Sequence, residues 1–293
     1  MTALQLARPA DVHAFEAVAG PFLAAREAEH NLLLGICTNL KTRPYGSLPP
    51  YFAVVSEGDR VVAAALRTPP LNLLLSAVDE PAALPLIAAD VLREYPDLPG
   101  VLAEKGIARE FAELWRAWTG AAYRIKTAER IFRCTRVIPA RPVGGRIRDA
   151  TRADRELIVE LLVAFTLEAI GPDEDTSRAG VVADGWLEAR ERRLFLWEDG
   201  GRVVSLVGVS GETPHGIRIA PVYTPPERRG RGYASACVAA VTQGQLDAGR
   251  RFCFLFTDLA NPTSNKVYQQ IGYEPVCDVD EYRFDPPRTQ ADS

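Results

Sequence analysis

Apolar residues follow two different periods in the second half of the chain. Leu157, Leu161 and Phe165 recur at the spacing of an amphipathic helix. Phe252–Thr257 is instead a nearly unbroken apolar run, which is typical of a strand covered on both faces. The pattern predicts a mixed α/β domain. Its predicted elements are, in order, strand Gly145–Thr151, helices Arg152–Ala169 and Ala179–Arg192, strands Leu194–Glu198, Val203–Ser210 and Ile217–Tyr223, helix Tyr233–Ala248, strand Phe252–Thr257, helix Asn261–Ile271 and strand Val276–Phe284.

The two halves of the chain repeat one plan. Each contains a predicted hairpin with a polar turn, and Arg60-Val-Val in the first hairpin corresponds to Arg202-Val-Val in the second. Each also contains a helix, a glycine and a strand in succession, within Trp115–Arg133 and Val267–Phe284. A diverged tandem duplication is therefore predicted, although hairpins of this kind also recur by chance.

A segment rich in proline and glycine lies between the halves. Ile138–Arg146 contains two prolines and two glycines, a composition that suits an exposed connection between domains. We therefore expect a first domain over residues 1–138, a linker over 139–146 and a second domain over 147–293.

Composition narrows the class of protein. The 293 residues are 47% hydrophobic and 25% charged, as in ordinary globular proteins, and the net charge of −4 argues against a nucleic-acid-binding surface. The first fifteen residues lack the apolar segment of a signal peptide, and no apolar run approaches the length of a membrane span. Scattered cysteines favour reduced thiols over disulfides or a metal site, so we expect a cytoplasmic protein without a bound metal. These cysteines are Cys37, Cys134, Cys237, Cys253 and Cys277.

The segment Ile219–Ser235 carries the strongest chemical signal. A predicted strand ends at two prolines, and a loop with alternating glycines, Gly230 and Gly232, opens a helix. The first amides of a helix are unpaired and its dipole is positive there, so such a loop suits an anion of the size of a pyrophosphate. Arg229 and Arg231 add positive charge. An ordinary strand–helix turn with solvent-facing arginines is the alternative.

Two blocks make the second half resemble the GNAT superfamily of N-acetyltransferases. Arg229-Gly-Arg-Gly-Tyr-Ala234 matches its cofactor signature, Arg/Gln-x-x-Gly-x-Gly/Ala, at every specified position. Thr257–Tyr273 is similar to its second block, Asn-x-x-Ser/Ala-x-x-x-Tyr followed by Gly-Phe/Tyr. The resemblance implies a GNAT fold in the second half and a diverged GNAT-like first half, both α/β with a mixed sheet.

The resemblance also implies a role for each matching residue. The backbone of Val222, Tyr223 and Thr224 would hold the pantetheine arm of acetyl-CoA, and Asn261 would reach the same arm. Tyr268 would donate a proton to the departing thiolate. The expected pyrophosphate-binding residues are Arg229, Gly230, Arg231, Gly232, Tyr233, Ala234 and Ser235.

Some of these residues have structural explanations as well. Asn261 before Pro262 is the pattern of a helix N-cap. Tyr268 lies with Val267 and Ile271 on an apolar face and could be a core residue. Tyr223 is more typical of a packing residue, and only its backbone is implicated.

No general base is evident from the sequence. An alkylamine must lose a proton before or during attack, because its pKa is near 10.4. Glu168, Glu212, His215 and Asp258 are candidates, and a water chain is the alternative. The acidic loop Pro172–Asp175 could attract a cationic amine, although a charge run of this length is normally solvated.

In the first half, Leu71–Pro81 follows the predicted hairpin without any glycine, so we expect no phosphate-binding loop there.

The sequence as a whole predicts an acyl-CoA-dependent N-acetyltransferase that acts on a small-molecule or peptide amine by direct attack through a tetrahedral intermediate. A non-catalytic acyl-CoA-binding regulatory module is the rival. Neither nucleic acid nor membrane is an expected partner, and the sequence leaves both a homodimer and the identity of the acceptor open.

Overall fold

The computed structural model describes residues 3–42, 48–171, 174–189 and 191–285. The strands are β1 (Leu4–Ala7), β2 (Tyr51–Glu57), β3 (Arg60–Arg67), β4 (Leu73–Leu75), β5 (Gly100–Glu104), β6 (Ala122–Cys134), β7 (Arg146–Asp149), β8 (Arg193–Asp199), β9 (Arg202–Ser210), β10 (Gly216–Tyr223), β11 (Phe252–Asp258) and β12 (Glu274–Asp285). The α-helices are α1 (Val12–Ala25), α2 (Asn31–Leu40), α3 (Ala83–Glu94), α4 (Lys105–Thr119), α5 (Arg155–Phe165), α6 (Ala179–Glu188), α7 (Tyr233–Asp247) and α8 (Pro262–Gln270).

The chain divides into two compact units. Unit 1 comprises the described residues up to Ile131, together with Thr257–Ala260 and the described chain from Val276 onward. Unit 2 comprises Phe132–Phe256 and Asn261–Pro275. Most of β12 therefore lies in unit 1, although the sequence pattern assigns this strand to the second domain. The domain limits drawn from the sequence stay a prediction.

Unit 1 is a sheet with helices on both faces. Its strand order is β1-β2-β3-β4-β5-β12-β6, with β4 and β5 parallel and β12 antiparallel to β5. Helices α3 and α4 pack on one face, and α1 and α2 cover the other. The apolar side chains of β12 explain its position, because Phe284 stacks on Trp115 of α4 with ring centroids 5.6 Å apart.

Unit 2 has the same layered plan. Its strand order is β11-β10-β9-β8-β7, and the pair formed by β10 and β11 is parallel. Helices α7 and α8 pack on one face with Cys237, Val241 and Tyr268 in the core. Helices α5 and α6 cover the other face, where Ile158 and Leu161 are buried. The apolar periodicity of the sequence thus faces the sheet, as predicted.

The middle of β10 is irregular on one side and unpaired on the other. Its pairing with β9 runs regularly through Ile219 and resumes at Val222, so the strand bulges between these residues. A Cβ atom on Gly208 of β9 would lie 2.6 Å from the carbonyl oxygen of Ala220. Pairing with β11 covers Gly216 to Arg218, and no later β10–β11 pair exists among the described residues. The two parallel strands therefore diverge toward their carboxyl ends.

The order of elements predicted for the second half is confirmed in full. Two helices differ in their limits. The helix predicted over Arg152–Ala169 is a regular α-helix only over α5, Arg155–Phe165. Helix α6 ends at Glu188 instead of Arg192 because Ala189 adopts an extended backbone. Pro172 and Asp173 of the acidic loop and Arg190 lie outside the described residues. Within the described ranges, no helix combines the length and the apolar character that crossing a bilayer requires.

The bulge in β10 predicts a specific need for glycine at position 208. Gly208→Ala should lower the free energy of unfolding by about 1–3 kcal/mol, because the added methyl group overlaps the β10 backbone. Gly244→Ala is the matched control, since it adds the same group inside α7 with no atom within 4 Å. Urea unfolding should show the control to be neutral or up to about 1 kcal/mol more stable. Equal stabilities of the two variants would contradict this account.

Candidate active site

The carboxyl end of β10 is held firmly from one side. Ser205 of β9 is fully buried, and its hydroxyl lies 2.9 Å from the Thr224 hydroxyl and 3.3 Å from the carbonyl oxygen of Tyr223. The edge of β10 that faces away from β9 has no strand partner beyond Arg218 within the described chain. Backbone groups near Val222 are thus available to a ligand that pairs like an added strand.

The loop after β10 has the backbone that its glycines permit. Pro226–Arg228 forms one tight helical turn, and Arg229 is extended. Gly230 and Gly232 both adopt positive φ values, 72° and 86°. No heavy atom lies within 4 Å of the position that a Cβ on Gly230 would occupy. The loop therefore presents an open, side-chain-free surface at this position.

Helix α7 begins with free amides. Gly232 is its N-cap and supplies no capping side chain. The first backbone hydrogen bond of the helix runs from the Ala236 amide to the Gly232 carbonyl oxygen at 3.0 Å. The amides of Tyr233, Ala234 and Ser235 have no acceptor among the described residues. Three adjacent donors at a helix N-terminus form an anion site.

In unit 1, backbone amides of the corresponding segment between β4 and the first turn of α3 are hydrogen-bonded within the unit. The first amides of α3, those of Ala83 and Leu84, bond to carbonyl oxygens of the preceding turn at 2.9 and 3.2 Å. The Ala77 amide, just after β4, donates to Nε2 of the buried His30 at 2.9 Å. Unit 1 therefore does not offer these amides to an anion, in agreement with the absence of glycine from Leu71–Pro81.

Arg229 links the loop to two other parts of unit 2. Its Nε atom donates to the carbonyl oxygen of Thr224 at 2.8 Å, and a terminal nitrogen lies 2.6 Å from a carboxylate oxygen of Glu168. The hydrogen bond to Glu168 raises the pKa of Arg229. The guanidinium is thus committed to positioning contacts in this structure.

Tyr268 lies on α8 against the core of unit 2. It is only 9% exposed, and its ring meets that of Tyr273 edge-on at 5.9 Å. Its hydroxyl has no hydrogen-bond partner in the described part of the chain, whereas the Tyr273 hydroxyl bonds to Thr242 at 2.7 Å. Burial raises the pKa of Tyr268 to about 12, so it stays protonated at neutral pH. Tyr268 is therefore a core residue whose hydroxyl stays protonated.

Comparison with known families connects this geometry to a chemistry. Residues 157–273, which include the loop, the α7 N-terminus and Tyr268, match the model of the Acetyltransferase (GNAT) family. This segment of the second half is therefore similar to GNAT acetyltransferases. Proteins of that family use acetyl-CoA as the acyl donor.

Solved GNAT structures show that the fold extends over nearly the whole chain. A GCN5-related N-acetyltransferase from Sphaerobacter thermophilus superposes with a TM-score of 0.60 at 17% identity, covering 98% of both chains. A tandem GNAT protein from the clavulanic acid biosynthesis pathway gives 0.59 at 16% identity, covering 98% of this chain and 100% of the other. A GNAT acetyltransferase from Colwellia psychrerythraea gives 0.55 at 10% identity, covering 96% and 100%. No curated protein sequence matches the chain.

Two of the four candidate bases lie far from the predicted cofactor residues. Glu212 and His215 precede β10, whose other end at Tyr223 is about 20 Å away at the rise of an extended strand. Glu212 also lies 2.6 Å from Arg250. A base that acts near Tyr223 would have to lie at the carboxyl end of β10, whereas Glu212 and His215 both lie before its amino end.

The other two candidates follow different elements. Asp258 ends β11 and accepts the Ala260 amide at 2.8 Å, as in a turn. Glu168 is paired with Arg229 and therefore lies beside the loop. Within the described ranges, no group of three or more His, Cys, Asp or Glu side chains could hold a metal ion.

The sequence did not reveal two residues that shape the carboxyl end of β10. Ser205 fixes the end of β10, and Gly208 makes room for the bulge. Both are small residues within an apolar strand. A polar serine at a buried strand position was the available signal, because such a hydroxyl needs a partner.

Asn261 caps α8 as its sequence context predicts. Its Oδ1 atom accepts the Ser264 amide at 3.0 Å, and Pro262 occupies the first helical position. The side chain of Asn265 donates to the Asn261 carbonyl oxygen at 2.8 Å. The cap thus fixes the start of the short helix that carries Tyr268.

The cap gives a testable stability difference. Asn261→Ala should lower the free energy of unfolding by about 1 kcal/mol, because the Ser264 amide loses its acceptor. Asn261→Asp retains an oxygen acceptor and should stay within about 0.5 kcal/mol of the native protein. Urea unfolding of the three proteins measures both effects, and an alanine variant as stable as the aspartate variant would rule the cap out.

Proposed function

We propose that unit 2 transfers an acetyl group from acetyl-CoA to a primary amine by direct attack through a tetrahedral intermediate. The observation that carries the proposal is the set of free amides at Tyr233, Ala234 and Ser235, next to a strand edge without a partner. A pyrophosphate needs several convergent donors, and a pantetheine arm needs an extended backbone edge. Unit 2 offers both, and the match of residues 157–273 to the GNAT family model supports this assignment.

The residues of the loop suit the two parts of the cofactor differently. Gly230 and Gly232 let the backbone approach the pyrophosphate, while the exposed Arg231 adds positive charge nearby. Val222, Tyr223 and Thr224 would pair with the pantetheine arm and direct an amide at the thioester carbonyl. Asn261 uses Oδ1 for its cap, so contact with the cofactor would fall to its Nδ2 group.

Acetyl-CoA supplies the activated acyl group, and the chain supplies position and a proton. Holding two reactants in line is worth several powers of ten in rate without covalent catalysis. Tyr268 would donate its hydroxyl proton to the thiolate of the leaving group, since its pKa keeps it protonated. We further infer an amine acceptor, a cytoplasmic location and one cofactor per chain, whereas assembly as a homodimer stays a prediction.

The anion site can be tested with a pair of glycine variants. Gly230→Ala and Gly249→Ala each place a methyl group at positive φ, 72° and 96°, with no atom within 4 Å. Both should lose about 1 kcal/mol of stability. Only Gly230→Ala should weaken CoA binding, by about tenfold or more in calorimetry, because Gly249 follows the other end of α7. Equal affinities of the two variants would place the cofactor elsewhere.

The proton donor can be tested with a pair of tyrosine variants. Tyr268→Phe should lower kcat by about 10²-fold while CoA affinity stays within about twofold, because only the hydroxyl proton is lost. Tyr273→Phe removes a hydroxyl bonded to Thr242 and should cost stability but leave kcat near its native value. Release of free thiol from acetyl-CoA, measured across a panel of amines, gives the rates.

The same panel separates the enzyme from the rival function. Turnover of at least one amine supports the transferase. Tight CoA binding without turnover of any amine on a broad panel would favour a non-catalytic acyl-CoA-binding module. Unchanged kcat in Tyr268→Phe would remove this residue as the acid without affecting the rest of the proposal.

A further inference from the structure

Glu168 lies on an unusual turn. After α5, residues Thr166–Ile170 form one widened helical turn, in which the Gly171 amide donates to the Thr166 carbonyl oxygen at 3.1 Å. An α-helix bonds each amide to the carbonyl four residues earlier, so this closure over five residues makes a wider turn. Glu168 is about half exposed, and one of its carboxylate oxygens lies 2.6 Å from Arg229.

Arg229 holds Glu168 and the end of β10 at once. Its Nε atom donates to the Thr224 carbonyl oxygen at 2.8 Å, and its guanidinium carbon lies 5.7 Å from the centre of the Tyr223 ring. The negative charge of Glu168 contributes, after burial, to a raised pKa of Tyr223. The turn after α5, the end of β10 and the loop before α7 therefore meet at one guanidinium.

Resting on the function proposed above, we infer that Glu168 is a positioning residue, which acts through Arg229 to hold the acyl-CoA-binding loop and the end of β10 together. A guanidinium with two fixed acceptors has one orientation, whereas a free one has many. Glu168 thereby restrains the residue that opens the glycine loop. Its carboxylate is committed to an ion pair and does not serve as the proton acceptor for the amine.

The expected size of the effect follows from the exposure of the pair. Exposed ion pairs contribute up to about 1 kcal/mol, which corresponds to about fivefold in affinity. Glu168→Gln should therefore raise the dissociation constant of CoA about two- to fivefold. Arg229→Met should raise it about tenfold, because it loses the contacts to both Glu168 and Thr224. The methionine keeps an apolar stem near the Tyr223 ring.

The decisive measurement is a double-mutant cycle on CoA affinity by calorimetry. If Glu168 acts through Arg229, the double variant Glu168→Gln/Arg229→Met binds CoA no more weakly than Arg229→Met alone. Glu188→Gln is the matched control, since Glu188 forms a comparable exposed pair with Arg152 at 3.1 Å in the same unit. Its CoA affinity should equal that of the native protein. Thermal unfolding of every variant confirms that each is folded.

Kinetics separate positioning from base catalysis. As a positioning residue, Glu168 affects KM for acetyl-CoA more than kcat, so Glu168→Gln should lower kcat by less than about threefold. The dependence of kcat on pH should keep its shape. A fall in kcat of about 10²–10⁴-fold with loss of the acid limb would instead identify Glu168 as the general base and overturn the inference.

Two results for CoA affinity would overturn the inference that Glu168 acts through Arg229. One is equal affinity in Glu168→Gln and Glu188→Gln, and the other is tighter binding in Glu168→Gln through relief of charge repulsion. Failure of the native protein to bind CoA would instead refute the proposed function, so the two failures are distinguishable.

Discussion

Strand β10 cannot pair fully with both of its neighbours. A bulge between Ile219 and Val222 shifts its register against β9, and its pairing with β11 stops at Arg218. Gly208 makes this possible, because any larger residue would overlap the bulged backbone. The divergence leaves a strand edge without a partner inside an otherwise continuous ladder. Buried backbone groups normally need partners, so such an edge favours a ligand.

The free amides of α7 are the second consequence of this local architecture. The strand ends early enough for a short loop with two glycines to lead into the helix without a capping side chain. Unit 1 has the same layers and the same succession of elements, but its turn into α3 uses its amides internally, one of them on His30. The two units thus share a fold and differ in whether the turn is open to an anion. Similar folds do not imply similar sites.

Charge in unit 2 is distributed over interacting groups. The α7 N-terminus is positive, and Arg229 adds a guanidinium whose two acceptors belong to different elements. A charge restrained in this way contributes to the shape of the site as well as to its electrostatic potential.

Tyr268 is positioned by a short helix whose start is fixed by Asn261 and whose apolar face is buried. The tyrosine hydroxyl on that buried face is the group that we propose as the proton donor.

The order of elements in the second half, the loop with two glycines, the cap at Asn261 and the resemblance to GNAT acetyltransferases could all be read from the sequence, because these depend on local periodicity and on short motifs. Only the tertiary structure decided that β12 joins unit 1, since strand partners are chosen by long-range packing such as that of Phe284 on Trp115. The same holds for Glu168, which the sequence offered as one candidate base among four. Its pairing with Arg229 spans 61 positions of the chain, and no local pattern records a contact at that separation.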